Sequence, residues 1–217
     1  SGAILTPLNM NKWFIILVAV LIFGVIGFFA FNNFIYQQKQ GDTTMDKSVD
    51  TAEANAMNGF QVTPVSHASM VLELGGQTIF NDPVGVEAFS WRPKPGIILV
   101  SDIHADHFDP DTLASISAEA TVLVVPQAVA DKLPKTLKGK IVILKNGEKT
   151  TQKGIEIEAV PMYNMPESPT AAHTKGRGNG YILSAEGKRI YIAGDTGTTP
   201  EMNALKNIDV AFVPMNM

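Results

Sequence analysis

The segment Ile97-Ile98-Leu99-Val100-Ser101-Asp102-Ile103-His104-Ala105-Asp106-His107-Phe108-Asp109 decides how this chain is read. Its first four residues form an apolar run, the pattern of a strand buried on both faces. Four side chains able to bind a metal then fall within six positions: Asp102, His104, Asp106 and His107. Where the chain leaves the strand extended, Asp102, His104 and Asp106 share one parity and point the same way. His107 has the other parity, so the chain must turn there for it to join them. Imidazoles and carboxylates together suit zinc, manganese or iron, and the chain has no Cys to offer a thiolate. His and Asp are ordinary loop residues, but this density at a strand end points to a metal centre.

On either side of this segment, short strands and helices alternate. Strands are expected at Gln61 to Val65, Ser69 to Leu74 and Gln77 to Phe80, with a hairpin turn at Gly75-Gly76. Downstream, Asp109-Pro110-Asp111 starts a helix through Ser117, and Thr121 to Val125 is a β-branched strand. A helix at Gln127 to Leu133 ends before Pro134, and strands follow at Lys140 to Leu144 and Ile155 to Pro161. The stretch His173-Thr174-Lys175-Gly176-Arg177-Gly178-Asn179-Gly180 reads as a glycine-rich loop feeding a strand at Tyr181 to Leu183. No helix follows it, so it is not a phosphate loop. Arg189 to Ala193 is a strand entering Gly194-Asp195-Thr196-Gly197; Thr199-Pro200-Glu201 begins a helix through Leu205, and Asp209 to Pro214 is the next strand. This alternation means an α/β domain with covered sheets.

The His-x-Asp-His core after an apolar strand resembles the metal motif of the metallo-β-lactamase superfamily, His-x-His-x-Asp-His, with Asp102 standing where the first His is expected. His67-Ala68-Ser69, the strand after it and Asp82-Pro83 resemble the opening hairpin of one branch, which contains sugar-phosphate lactonases and N-acylphosphatidylethanolamine phospholipases. The resemblance implies an αββα sandwich. It implies a divalent-metal hydrolase, with zinc first and manganese or iron also compatible, holding one or two ions. One site would use Asp102, His104 and His173; the other, Asp106 and His107; Asp195 of the Gly-Asp-Thr turn would bridge them. Asp106 would also orient the attacking water or accept its proton, and His67 would stand behind the ligands rather than among them. Lys175 and Arg177 would hold an anionic substrate group, with a solvated loop face as the alternative. The reaction implied is attack of a metal-bound hydroxide on an ester, lactone or phosphodiester bond of a small-molecule or lipid-like substrate. The alternative is a membrane-tethered, non-catalytic metal-binding module of the same fold. Members of this family continue with a further helix, strand and His ligand, so the resemblance implies a domain cut short at Met217.

The 217 residues suffice for one domain with a sizeable core plus an appendage. A net charge of −4 speaks against a broad nucleic-acid surface and disfavours a nuclease of this superfamily. Residues 1–12 read as a leader. Trp13 to Phe31 carries no charge or strongly polar group and as a helix would reach about 28 Å, the thickness of a bilayer core. Residues 13–36 are therefore expected to be an uncleaved signal anchor, single-pass, with the catalytic domain outside the cytoplasm. Residues 37–58 are polar and read as a tether, and residues 59–217 as the hydrolase-like domain.

Overall fold

In β4 (Ile97–Leu99) the side chains divide by parity: Ile97 and Leu99 enter one apolar cluster, while Ile98 and the following Val100 enter another. A strand buried on both faces needs cover on both sides. The computed structural model, which describes residues 59–215, shows what supplies it.

One mixed sheet runs in the order β1 (Phe60–Ser66), β2 (Ser69–Leu74), β3 (Gln77–Asn81), β4, β5 (Val122–Val125), β6 (Lys140–Ile143). The first three strands form an antiparallel meander; β3 to β6 are parallel. Parallel neighbours require crossovers. Short helices lie on them: α1 (Val86–Phe89), α2 (Pro110–Ile116) and α3 (Gln127–Ala130). Phe89, Leu113, Ile116 and Val129 from these segments pack with Phe80, Ile98, Val100 and Leu123 on the outer face of the sheet.

The second sheet is β7 (Lys149–Gln152), β8 (Ile155–Met162), β9 (Gly178–Ala185), β10 (Lys188–Ile192) and β11 (Val210–Phe212). It is antiparallel through β10, with β11 parallel to β10 after α4 (Pro200–Asn203). Leu72, Ile79, Ile97 and Val124 of the first sheet share one core with Ile157, Tyr181, Leu183 and Ile190 of the second. Each such aliphatic side chain contributes roughly 1.5–3 kcal/mol on full burial. Tyr181 also fastens the sheets together: its hydroxyl donates to Val100 O at 2.8 Å and lies 3.2 Å from Val124 O. A third cluster, Val160, Ile182 and Tyr191 with Met202 and Leu205, covers the outer face of the second sheet. The layers are thus helix, sheet, sheet, helix.

Three local expectations are corrected. The Gly178-Asn179-Gly180 stretch is the start of β9, not loop. Its glycines answer to crowding: a Cβ on Gly180 would stand 2.8 Å from Ala193 O, and one on Gly178 would stand 2.9 Å from Ser101 O. The helices at 127–133 and 199–205 shrink to four residues each, α3 and α4. Strand β7 and helix α1 were not expected; Lys-Thr-Thr-Gln has no apolar alternation, because it is a polar edge strand. The leader, anchor and tether expected over residues 1–58 lie outside the described residues. Among the described residues, no helix is long and apolar enough to cross a membrane.

Candidate metal centre

The metal-type loop is pinned at both ends. Val100 and Phe108 are buried in the outer core. Asp109 caps α2: its Oδ1 accepts the N–H of Asp111 at 3.1 Å and of Thr112 at 3.3 Å. Between these anchors the chain turns, with His107 N–H and Phe108 N–H both donating to His104 O at 3.0 and 2.8 Å. That turn divides the four side chains differently from strand parity. Asp102 and His104 join His173, whereas Asp106 goes with His107 and Asp195. Parity grouped Asp106 with Asp102 and His104 because it assumed an extended chain; the turn at His104 breaks it.

In the first group, Asp102 Oδ2 lies 3.0 Å from His104 Nδ1 and 3.7 Å from His173 Nε2, and the two imidazole nitrogens are 3.1 Å apart. Asp195 Oδ2 is 3.5 Å from His173 Nε2. Donors around a tetrahedral zinc sit roughly 3.3 Å from one another, so the Asp102, His104 and His173 separations fit a cation held between the three. In the second group, His107 Nε2 is 3.2 Å from Asp195 Oδ2 and 3.7 Å from Asp106 Oδ2. That nitrogen is buried without a hydrogen bond: Asp106 is too far, and the ring is not aimed at Asp195. A buried polar atom without a partner is costly, and a cation shared with Asp106 and Asp195 would satisfy it.

Partners behind the donors fix their orientation. Asp82 Oδ2 sits 2.9 Å from His107 Nδ1, and Asp82 also accepts the backbone N–H and the hydroxyl of Ser101, each at 2.7 Å. The Asp82 contact sets the His107 tautomer so that Nε2 faces the donor group. Asn164 does the same for His173. Its Oδ1 accepts His173 N–H at 2.9 Å, which identifies it as the oxygen, and takes Nδ1 at 3.1 Å, leaving Nε2 to face Asp102. Asp195 leaves β10 through Gly194, at φ 63°, where Met162 and Ser101 leave no room for a Cβ. The next residue, Thr196, is tied by its hydroxyl to both the N–H and the C=O of Tyr163.

These contacts move the titrations. Burial pushes the His107 imidazole down, but the Asp195 and Asp82 carboxylates outweigh it and hold the pKa up at about 10. The His107 imidazole beside Asp195 lowers that carboxyl, against the opposing effect of burial. Burial lowers His173, against the pull of Asp102 and Asp195. A divalent cation at His107 Nε2 would compete with a proton, so metal uptake is coupled to proton release.

The remaining expected residues are placed as follows. His67 Nε2 lies 3.2 Å from Asp106 Oδ2, with the His67 side chain 68% exposed. Lys175 and Arg177, expected to hold an anionic substrate group, are both ion-paired within the protein. Lys175 Nζ is 2.8 Å from Glu201 Oε1, and Arg177 Nη2 is 2.8 Å from Asp102 Oδ2. Nearby carboxylates claim both cations. Sequence reasoning missed Asp82, Asn164 and Glu201 as partners, since nothing near them in the chain marks them; only the Asp82-Pro83 resemblance touched the first.

The same fold recurs in known proteins. A β-lactamase superfamily domain model matches residues 61–216. Among curated relatives, a UPF0173 metal-dependent hydrolase of Ligilactobacillus salivarius is 30% identical over 164 residues, covering 71% of this chain and 72% of that protein. One of Pyrococcus abyssi is 29% identical over 162 residues, covering 70% of each. A crystal structure described as a metal-dependent hydrolase, from Parabacteroides distasonis, superposes with a TM-score of 0.65 at 39% identity, covering 72% of this chain and 70% of that one. With the sandwich and the His/Asp centre already described, these matches show that the chain belongs to the metallo-β-lactamase superfamily, in its UPF0173 metal-dependent hydrolase family.

Proposed function

We propose that this chain hydrolyses an ester, lactone or phosphodiester bond at a two-cation centre, with zinc the first candidate and manganese or iron also suited to the donors. The observation that carries this is the position of Asp195. Its Oδ2 stands 3.2 Å from His107 Nε2 and 3.5 Å from His173 Nε2, between the two donor groups. A carboxylate can offer lone pairs to both sides. Asp102, His104 and His173 would hold one cation, Asp106 and His107 the other, with Asp195 common to both.

Cations bound there supply positive charge that acidifies water and polarises a substrate carbonyl or phosphoryl oxygen. Asp106 is the most exposed carboxylate of the centre, at 44%. It is placed to orient the attacking water and accept its proton. His67, within hydrogen-bond reach of Asp106 and open to solvent, would relay that proton outward. Asp82 and Asn164 hold the two imidazoles so that their free nitrogens stay on the donor groups.

The likeness of His67-Ala68-Ser69 and Asp82-Pro83 to the lactonase and phospholipase branch favours a small-molecule or lipid-like substrate over a nucleic acid. The charge-free run from Trp13 to Phe31 supports a single-pass anchor, and Lys12 ahead of it favours the arrangement with the domain outside the cytoplasm. The test is a screen of aryl esters, lactones and bis-aryl phosphodiesters with the full chain in detergent, with zinc or manganese and then with excess chelator. The reading expects turnover of at least one class that chelator abolishes and added metal restores. Metal uptake without turnover of any class would instead favour the non-catalytic module.

A further inference from the structure

Asp102 is the unusual donor. It is fully buried, and the Arg177 guanidinium already holds both of its oxygens: Nε donates to Oδ1 at 3.0 Å and Nη2 to Oδ2 at 2.8 Å. Only Oδ2 also faces the donor group, 3.0 Å from His104 Nδ1. One oxygen is thus committed to the guanidinium, and the other is shared between guanidinium and donor group. A two-pronged pair of this kind fixes the carboxylate plane, which a lysine cannot do.

Arg177 is itself built into the framework. Its own N–H donates to Thr174 O at 3.2 Å, in the loop that carries His173. Two residues later, Asn179 N–H donates to Ser101 O at 2.9 Å, which fastens the start of β9 to the residue before Asp102. Gly178 permits that approach, since a Cβ there would collide with Met162 and the Ser101 carbonyl. The guanidinium therefore meets Asp102 from a backbone tied to the backbone of Asp102.

A lone carboxylate at full burial is strongly disfavoured. Left unpaired, it would also add a full negative charge to the donors and weaken the cation's pull on water and substrate. Paired with a guanidinium, it brings no net charge, as a neutral imidazole would. We propose that Arg177 is a positioning residue that turns Asp102 into a net-neutral, single-oxygen ligand, equivalent in charge to a third imidazole beside His104 and His173. The proposal rests on the reading of this centre as a metal site.

Charge compensation has a signature that a merely structural arginine lacks: the two residues should be exchangeable together and not separately. Asp102→His alone sets an imidazole against both a guanidinium and a cation. Arg177→Gln alone leaves the carboxylate uncompensated and unoriented. The double variant Asp102→His/Arg177→Gln restores a neutral donor without a stray charge. The experiment titrates the full chain in detergent with zinc against a chromophoric chelator. Cobalt(II) absorption reports coordination, and the thermal transition of the metal-free protein reports folding. Each single variant should lose about 10–100-fold in affinity at the tighter equivalent, the range for partners that orient a ligand. Arg177→Lys, keeping the charge but not the fork, should fall between wild type and Arg177→Gln. The double variant should recover to within about threefold of wild type, the non-additivity of a directly coupled pair. A double variant no tighter than the weaker single variant would overturn the proposal, as would an Arg177→Gln protein that binds like wild type. If the Gln variant does not fold, Arg177→Lys decides alone: unchanged affinity and cobalt spectrum overturn the proposal. Wild-type protein that takes up no zinc or cobalt would instead remove the metal-site reading and the proposal with it.

Discussion

The two donor groups share one carboxylate but are built differently. In the first, Asp102 is fully buried and His173 is nearly so, each held from behind by Arg177 and Asn164, and only the His104 side chain, 38% exposed, reaches solvent. In the second, His107 is buried and oriented by Asp82, whereas the Asp106 and Asp195 side chains are 44% and 26% exposed. Enclosure pre-arranges donors and excludes water, so the first group is suited to retain a cation. Exposure leaves room for water and substrate, so the second is suited to the reacting bond.

Asp82 tests the one enclosed anchor of the open group. Asp82→Ala leaves His107 Nδ1 and two Ser101 donors buried without their acceptor, and each such loss costs about 1–3 kcal/mol. Urea unfolding of the variant should show that loss; a midpoint close to wild type would mean that the open group needs no buried support. On the enclosed side, Asn164→Ala frees the His173 ring and should weaken metal binding about 10–100-fold with little change in the metal-free transition. Equal affinity would show that burial alone orients His173. Tyr181→Phe removes the hydroxyl that joins the sheets beneath the centre, at about 1 kcal/mol. Its unfolding midpoint should drop while zinc affinity holds, which separates frame from donors; a parallel drop in affinity would couple them.

The smallest effect belongs to the rim. Lys175, with help from Tyr163, lowers Glu201 from 4.5 to about 2. A depressed carboxyl contributes stability that is complete above its unfolded pKa and is lost as pH falls through the folded one. The Glu201 contribution is thus intact above pH 4.5 and fades towards pH 2. The pair is partly exposed, so solvent screens it and the effect is small. Glu201→Gln should flatten the acid limb of stability in that window; an identical limb would show that solvent already screens the pair.

Much of the frame was legible because burial writes itself into local pattern. Ile97-Ile98-Leu99-Val100 announced a strand covered on both faces, and the Gly75-Gly76 hairpin and the Pro110 helix start lie where the sequence expected them. Lys149–Gln152 was not legible, since a polar edge strand has its partner elsewhere in the chain. Gly178 and Gly180 misled for a related reason: flexibility and close approach use the same residue, and only the neighbouring backbone tells them apart. In the centre, the donor types could be read, but not their supports. The Asp82–His107 and Arg177–Asp102 pairs span 25 and 75 residues, beyond any local spacing rule. The residues over 1–58, where the anchor is expected, lie outside the described structure.

The central claim is that Asp195 serves both donor groups, and calorimetric zinc titration of wild type and Asp195→Ala tests it most directly. The account predicts two binding events in wild type, the tighter from the enclosed group, and a loss of affinity in both events when Asp195 becomes Ala. A variant that keeps one event at wild-type affinity would contradict it, because the carboxylate would then belong to one cation alone.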